Sequence, residues 1–252
     1  LEERAYIKMK FSKRMDLFGE SIFTTLANMR SERKKQGLEV IDLSIGAPNI
    51  PPTQEVMETI ANEAMKPENY LYAIKDAVDL QNTVKEWYER RYGVTIDSET
   101  EMTSLLGSQD GLAHLALTLV DEGDIVLVQD PCYPIFRDGP LLAGAKVVTM
   151  PLLKENDYLI DFDEINEKTA QDAKYMIVSY PNNPTCGVAN DEFYKKLIVF
   201  AKKYNIMILH DNAYSELLFE GPGHSFLEFE GAKDVGIEFN SLSCLLYTSP
   251  SP

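Results

Sequence analysis

The sequence predicts an α/β protein with a mostly parallel sheet that helices cover on both faces. Two observations favour this fold class. From residue 103 onward, short apolar runs alternate with segments of helical periodicity. Strands that alternate with helices require crossover connections, which place parallel strands side by side beneath the helices. The chain also has 252 residues, of which 44% are hydrophobic and 25% charged, as expected for a globular protein.

Three helices are predicted in the first part of the chain. Residues Ser21 to Lys35 form an amphipathic pattern that ends before Gly37, and glycine is typical after a helix C-terminus. A second helix is expected to begin at Thr53, whose side chain suits an N-cap, and to run through Met65. Asp79 to Tyr92 has apolar residues at helical spacing and forms the third.

The predicted sheet occupies the rest of the chain. Its strands are expected in six apolar runs: Thr103–Leu106, Ile125–Gln129, Lys146–Met150, Tyr175–Ser179, Ile206–Leu209 and Gly236–Asn240. Helices are expected between them: Gln109–Leu119, Ile135–Ala143, Phe162–Lys168 and Asp191–Tyr204. In such sheets ligands bind beyond the carboxyl ends of the strands, so the residues after each run are candidate site residues.

Charge and cysteine content disfavour several classes of partner and site. The formal net charge of −16 argues against nucleic acid and anionic membranes as partners. The three cysteines are too few and too scattered to predict a disulfide framework or a metal cluster. No apolar run has the length of a membrane span. We therefore expect a cytoplasmic protein without a metal site.

Gly107-Ser108-Gln109 follows the first predicted strand and opens a helix. Backbone N–H groups and the helix dipole favour a phosphate at such a position, and the Ser108 hydroxyl adds a donor. A plain turn capped by serine has the same appearance. Because the chain has no Gly-x-Gly-x-x-Gly and no Walker pattern, dinucleotides and nucleoside triphosphates are disfavoured as ligands.

Three further segments carry polar or aromatic residues after predicted strands. Tyr133 lies between prolines and can either stack on a flat heterocycle or pack beneath its loop. Pro184 restrains Asn183, whose amide can then donate to a phenolate oxygen or simply complete a turn. Asp211 ends an apolar run, three residues before Tyr214. A carboxylate there needs a cation such as a pyridinium nitrogen, unless it caps a helix.

These motifs together resemble those of one enzyme family. The order Gly-Ser-Gln, Pro-Cys-Tyr-Pro, Pro-Asn-Asn-Pro, Asp-x-x-Tyr and Ser-x-Ser is similar to that of class I pyridoxal-phosphate-dependent aminotransferases of fold type I. Within that family the chain resembles the bacterial LL-diaminopimelate aminotransferase-like enzymes, from about Phe18 to Ser243. The cofactor implied is pyridoxal 5'-phosphate.

The resemblance implies contacts to the cofactor phosphate. Ser108, Gln109 and Ser241 would bind it from the same chain. Tyr70, or alternatively Tyr72, would reach it from the neighbouring subunit of a homodimer.

The resemblance also assigns contacts to the cofactor ring and the substrate. Tyr133 would stack on the pyridine ring, while Asn183 and Tyr214 would hydrogen-bond its phenolic oxygen. Asp211 would pair with the ring nitrogen. Gly46 would lie along the substrate carboxylate through its backbone.

Cys244 occupies the position where the family has its catalytic lysine, which holds the cofactor as a Schiff base and shuttles protons. The resemblance stops at Ser243. We therefore expect residues 244–252 to be a non-native tail and the chain to be an inactive, C-terminally truncated fragment. Residues 1–45 would form an N-terminal arm and part of the small domain, and residues 46–243 an incomplete large domain.

The resemblance implies transamination between an amino acid and a 2-oxo acid by the parent enzyme. Two alternatives stay open from the motifs. One is a lyase or decarboxylase of the same fold, and the other is a non-catalytic protein that binds pyridoxal phosphate.

Overall fold

The computed structural model describes residues 10–43 and 51–242, which fall into two compact units. In the first unit, a short 3-10 helix at Lys13–Leu17 precedes helix α1 at Ile22–Lys35. Helix α1 confirms the first predicted helix, and the side chain of Arg30 pairs with Asp42 beside it. Gly46 and Cys244 lie outside the described residues, so the predictions about them stay predictions.

The second unit contains the remaining helices and all five strands of the described residues. The helices are α2 (Gln54–Ala64), α3 (Val78–Tyr92), α4 (Ser108–Leu119), α5 (Pro134–Ala143), α6 (Glu167–Asp172) and α7 (Asp191–Tyr204). The strands are β1 (Ile125–Asp130), β2 (Lys146–Pro151), β3 (Ala173–Ser179), β4 (Met207–Asp211) and β5 (Gly236–Phe239). Thr53 holds the predicted N-cap position of α2, although its side chain makes no capping hydrogen bond.

The strands form one parallel sheet in the order β2-β1-β3-β4-β5. Side chains alternate between its two faces. One face packs against α4 and α5 through a core that includes Leu112 and Phe136. The other face packs against α7, through a core that includes Phe193 and Leu197. This confirms the predicted α/β class with a parallel sheet covered on both faces.

Two predicted elements are wrong. Thr103–Leu106 forms no strand. Strand β5 is an edge strand of the described sheet, and no described strand lies beside Thr103–Leu106 to exchange backbone hydrogen bonds with it. Asp76 instead holds the segment through the backbone N–H and the hydroxyl of Ser104. The helix expected at Phe162–Lys168 begins only at Glu167, since the side chain of Asn166 caps it.

No helix within the described ranges combines the length and the apolar character that crossing a membrane requires.

Gly223 marks a close approach between two backbone segments of the second unit. A Cβ atom at this buried position would overlap the carbonyl group of Ser215. We expect Gly223→Ala to lower the free energy of unfolding by about 1–3 kcal/mol or more, since neither backbone can yield cheaply. Guanidinium denaturation followed by circular dichroism measures this change.

Gly139→Ala is the matched control for that substitution. Gly139 is also buried, but a Cβ there would have its nearest neighbour, the carbonyl oxygen of Leu112, at 3.4 Å. Because the space is adequate and alanine favours helix α5, its stability should stay equal or rise by up to about 1 kcal/mol. Equal losses in the two variants would contradict the close-approach argument.

Candidate cofactor site

The candidate site lies at the carboxyl edge of the sheet. Because the strands are parallel, their carboxyl ends meet at one edge. Strand β1 ends at Asp130, β3 at Ser179 and β4 at Asp211, and Ser241 follows β5 at the same edge. Asp211 continues the sheet face that carries Leu209 and therefore lies on the side of α4 and α5.

Asp211 is a buried carboxylate that lacks a full set of partners. The residue is 7% exposed, and its Oδ1 atom has no hydrogen-bond partner within the described residues. Burial raises the pKa of Asp211 to about 6, and the charge of Glu238 adds to this while His210 opposes it. A cation at this point would relieve the desolvation of the carboxylate. A buried carboxylate with a free acceptor oxygen therefore fits the protonated ring nitrogen of pyridoxal phosphate.

Tyr133 and Gln109 meet beside this carboxylate. The Tyr133 hydroxyl donates to Gln109 Oε1 at 3.1 Å. Burial raises the pKa of Tyr133, and the charge of Asp211 raises it further, so the two side chains share one environment. The Tyr133 ring also contacts Phe136 edge to face, at 6.2 Å between centroids. The structure thus brings together a predicted stacking residue and a predicted phosphate residue.

The loop after β3 presents Asn183 toward Tyr214. The Asn183 amide donates to the Tyr214 hydroxyl at 3.4 Å, so the two predicted donors for a phenolic oxygen are adjacent. Asn182 holds this loop, since its Oδ1 accepts from the backbone and hydroxyl of Thr185 at 3.1 and 2.8 Å. The Asn182 amide in turn donates to the buried Gln129 at 3.3 Å. A fixed loop keeps Asn183 in position.

The N-terminus of α4 provides an opening for an anion. Gly107 has φ of +104°, a value that L side chains rarely adopt, and a Cβ there would meet no atom within 4 Å. Ser108 begins the helix directly after this turn and is partly buried. Because the first N–H groups of a helix lack intrahelical acceptors, they and the Ser108 hydroxyl are available to a phosphate.

Other predicted contacts are not assembled in the structure. Tyr70 is 71% exposed and donates its hydroxyl to the carbonyl of Ala64 at 2.6 Å. Tyr72 is 92% exposed. Their proposed role, in a neighbouring subunit, stays a prediction. Ser241 lies at the correct edge of the sheet and is partly buried, but its contact to a phosphate is likewise untested.

Sequence reasoning missed a second polar cluster, on the opposite face of the sheet. The fully buried carboxylate of Glu238 accepts from Tyr88 and Ser225 at 2.8 Å each. It also accepts from the backbone of Phe226 at 2.7 Å and lies 3.1 Å from His210 Nδ1. The available signal was a single acidic residue inside an apolar strand. His210 is a hydrogen-bonded member of this cluster.

Sequence reasoning also missed Gln129, another single polar residue within an apolar strand. It is fully buried one residue before the end of β1, and its Oε1 accepts from the backbone of Ser179 at 2.7 Å as well as from Asn182. A polar residue within the run Ile-Val-Leu-Val-Gln was the only sequence signal. Among the residues with described positions, no three histidine, cysteine or acidic side chains gather in a metal-binding arrangement.

Comparison with known sequences gives one consistent result. The profile of the family described as aminotransferase class I and II matches residues 39–243. The chain is 43% identical over 237 residues to an LL-diaminopimelate aminotransferase of Aquifex aeolicus, a match that covers 93% of this chain and 61% of the relative. An LL-diaminopimelate aminotransferase of Dehalococcoides mccartyi is 41% identical over 237 residues, with the same two coverages.

Comparison with solved structures agrees. Apo BacF from Bacillus subtilis superposes with a TM-score of 0.88 at 36% identity, covering 94% of this chain and 61% of that one. A probable N-succinyldiaminopimelate aminotransferase from Thermus thermophilus gives a TM-score of 0.84 at 33% identity, covering 88% and 60%. The chain spans about three fifths of the length of the curated relatives that it matches.

Proposed function

Because the chain belongs to the class I and II aminotransferases, we propose that its second unit forms the pyridoxal-phosphate-binding region of an enzyme that transfers amino groups between an amino acid and a 2-oxo acid. Residues 46–243 would be part of the large domain and residues 1–45 an N-terminal arm with part of the small domain. The parent enzyme would be a cytoplasmic homodimer, and Tyr70 would reach the site of the partner subunit.

The observation that carries this proposal is the buried, incompletely paired Asp211 with Tyr133, Asn183 and Tyr214 beside it. Each of these residues supports one of the predicted contact types. Asp211 supplies the anion for a ring nitrogen, Tyr133 a flat aromatic surface, and the Asn183–Tyr214 pair the donors for a phenolic oxygen. The α4 N-terminus supplies the N–H groups for a phosphate.

These residues would hold the cofactor through different contacts and would favour the protonated form of its ring nitrogen. Pyridoxal phosphate supplies an electron sink that stabilises negative charge on the carbon next to a substrate amine. Asp211 keeps the ring nitrogen protonated by pairing with it. Asn183 and Tyr214 orient the ring through its phenolic oxygen, and Ser108 and Gln109 anchor the phosphate end. These contacts would hold the cofactor in one orientation before any substrate is bound.

Pyridoxamine 5'-phosphate is the probe that tests this proposal, because its binding does not need a covalent bond to a lysine. Isothermal titration at pH 7.5 should show one site per chain. Weakened binding in Asn183→Ala and Tyr214→Phe would support the assigned ring contacts. Absence of binding, or binding that is indifferent to both substitutions, would refute the proposal for this chain.

Ser108→Ala should weaken pyridoxamine phosphate binding about tenfold. The substitution removes a hydrogen bond from the hydroxyl to a charged phosphate, a contribution at the lower end of about 1.5–3 kcal/mol. Thr118→Ala is the matched control, since Thr118 is an exposed hydroxyl residue at the other end of α4 and donates only to the Leu115 carbonyl. If both substitutions weaken binding equally, the effect comes from helix stability and the phosphate assignment fails.

The position of Cys244 leads to a separate proposal about activity. A thiol cannot replace the amine that anchors the cofactor and moves protons in the family. We expect the chain to show no transaminase activity. After borohydride treatment with pyridoxal phosphate, mass spectrometry should find the Cys244 peptide unmodified. A reduced cofactor adduct on that peptide would contradict this expectation.

Transamination is favoured over a lyase or decarboxylase reaction because both curated relatives described above are named as aminotransferases. Their names also suggest LL-diaminopimelate, or a related diamino acid, as the amino donor of the parent enzyme. Product analysis of a full-length protein, with LL-diaminopimelate and 2-oxoglutarate as substrates, tests both statements. Release of ammonia or carbon dioxide instead of an amino acid product would favour the alternative reactions.

A further inference from the structure

Two buried atoms at the candidate site have complementary chemistry and no hydrogen-bond partner among the described residues. One is Oδ1 of Asp211, which can only accept when the carboxyl is ionised. The other is the hydroxyl of Ser179, which can donate. Ser179 is 0% exposed and Asp211 is 7% exposed, so bulk water satisfies neither atom well. Buried polar groups in folded proteins rarely lack a hydrogen-bond partner.

The register of the sheet brings the two side chains to adjacent positions. Ser179 and Asp211 end β3 and β4, and they are direct partners in the parallel pairing of these strands. Both continue the face that carries Ile177 and Leu209, because side chains alternate along a strand. Neighbouring strands lie about 4.8 Å apart. Rotation about the Cα–Cβ bond of Ser179 can therefore bring its hydroxyl to the carboxylate.

The backbone of Ser179 is fixed while its hydroxyl is free. Its N–H donates to Oε1 of Gln129 at 2.7 Å, and Gln129 is itself fully buried. The same Gln129 oxygen accepts from Asn182 and so ties this strand end to the loop that presents Asn183. Among the described residues, His210 and Glu238 on the other face act electrostatically on Asp211, and Asp211 in turn acts on Tyr133 on its own side.

We propose that Ser179 is a positioning residue for Asp211: its hydroxyl donates to Oδ1 of the ionised carboxylate and leaves Oδ2 directed toward the ring nitrogen of the cofactor. Only the second half of this statement rests on the proposed function. The hydrogen bond itself belongs to the cofactor-free chain. It would explain how a buried carboxylate stays ionised at neutral pH and keeps one orientation before the ring binds.

Titration of the Asp211 carboxyl carbon by NMR, in the cofactor-free full chain, tests the hydrogen bond. Loss of a donor to the charged form should raise the pKa of Asp211 by about one unit in Ser179→Ala. Ser179→Thr keeps a hydroxyl and should titrate like the wild type. Tyr175→Phe is the matched control, because it removes another buried, unpaired hydroxyl from the same strand and face, farther from Asp211.

Affinity for pyridoxamine 5'-phosphate at pH 7.5 provides the second readout. Ser179→Ala should bind about tenfold more weakly, as expected for one lost hydrogen bond to a charged group, and Ser179→Thr should recover the affinity. If Ser179→Ala does not fold, Ser179→Cys gives the same comparison, since a thiol of similar size is a weak donor.

Two results would overturn the inference. One is an unchanged carboxyl titration in Ser179→Ala, and the other is an equal shift in Tyr175→Phe, which would indicate a general packing effect. If the wild-type chain does not bind pyridoxamine phosphate at all, the proposed function fails. The titration in the cofactor-free chain still decides whether the Ser179 hydroxyl donates a hydrogen bond to Asp211.

Discussion

Asp211→Asn is expected to stabilise the cofactor-free chain by about 3 kcal/mol at pH 7 and to weaken cofactor binding. Burial raises the pKa of Asp211 from its ordinary 3.8 to about 6 in the folded chain. The folded state therefore binds the carboxyl proton of Asp211 more tightly than the unfolded state does. The stability that protonated Asp211 contributes is complete below about pH 4 and is lost as pH rises toward 6. Each pKa unit corresponds to about 1.4 kcal/mol.

Urea denaturation at pH 3.5 and pH 7 measures this effect. Wild type and Asp211→Asn should be similar at the lower pH, because both side chains are then neutral, and the variant should be more stable at the higher pH. Asp172→Asn is the control, since Asp172 is exposed and, among the described residues, forms its one ion pair with Lys168 at 2.9 Å. Its substitution should change stability by less than about 1 kcal/mol at both pH values.

The same substitution should impair binding. Loss of the anion that pairs with the ring nitrogen should weaken pyridoxamine phosphate binding about 30-fold or more, from roughly 2 kcal/mol or above. A variant that is more stable but binds poorly would mark Asp211 as a functional residue kept at the expense of stability. A less stable variant, or one with unchanged affinity, would contradict the proposed role.

Glu238→Ala is expected to have the opposite effect and to lower the free energy of unfolding by about 3–5 kcal/mol at pH 7. Burial alone would raise the pKa of Glu238, but His210, Tyr88 and Ser225 hydrogen-bond the carboxylate and hold the pKa below its ordinary 4.5. Its stabilisation is therefore present above pH 4.5 and is lost as pH falls through the folded value. Alanine would leave these buried donors without their acceptor.

Glu192→Ala is the matched control for Glu238→Ala. Glu192 is exposed on α7, where it pairs with Lys196 at 3.0 Å. Exposed pairs of this spacing contribute about 0.3–0.5 kcal/mol, so its loss should be small. Urea denaturation of both variants measures the difference. Equal losses would show that the Glu238 cluster adds little beyond an ordinary surface contact.

The contrast between these two carboxylates was invisible in the sequence. Asp211 ends its apolar run, whereas Glu238 lies inside the neighbouring strand β5. Pleat alternation places them on opposite faces, where Glu238 meets four donors and Asp211 faces the candidate site with one oxygen that no described residue contacts by a hydrogen bond. Only the packing of β4 against β5 decides which carboxylate has several donors and which keeps an oxygen without a partner among the described residues.

Local signals predicted most elements well. Helix α7 has the predicted bounds, Asp191–Tyr204, because Asn190 caps its start and Asn205 adopts a left-handed conformation at its end. Where prediction failed, long-range contacts decided. The ring of Phe162 packs against Phe193 and Phe200 from a loop, although its segment has the periodicity of a helix. Tertiary packing of an aromatic side chain can thus outweigh local helix preference.

The sequence by itself determined the alternation of strands and helices, and with it the parallel sheet and the edge at which Ser108, Tyr133, Asn183 and Asp211 would gather. Periodicity and turn residues are local properties, and parallel connectivity converts them into a shared edge. Only the tertiary structure decided which buried polar groups have partners and why Thr103–Leu106 is not a strand. Both depend on neighbours distant in the chain, because a buried donor or acceptor must find its partner in space.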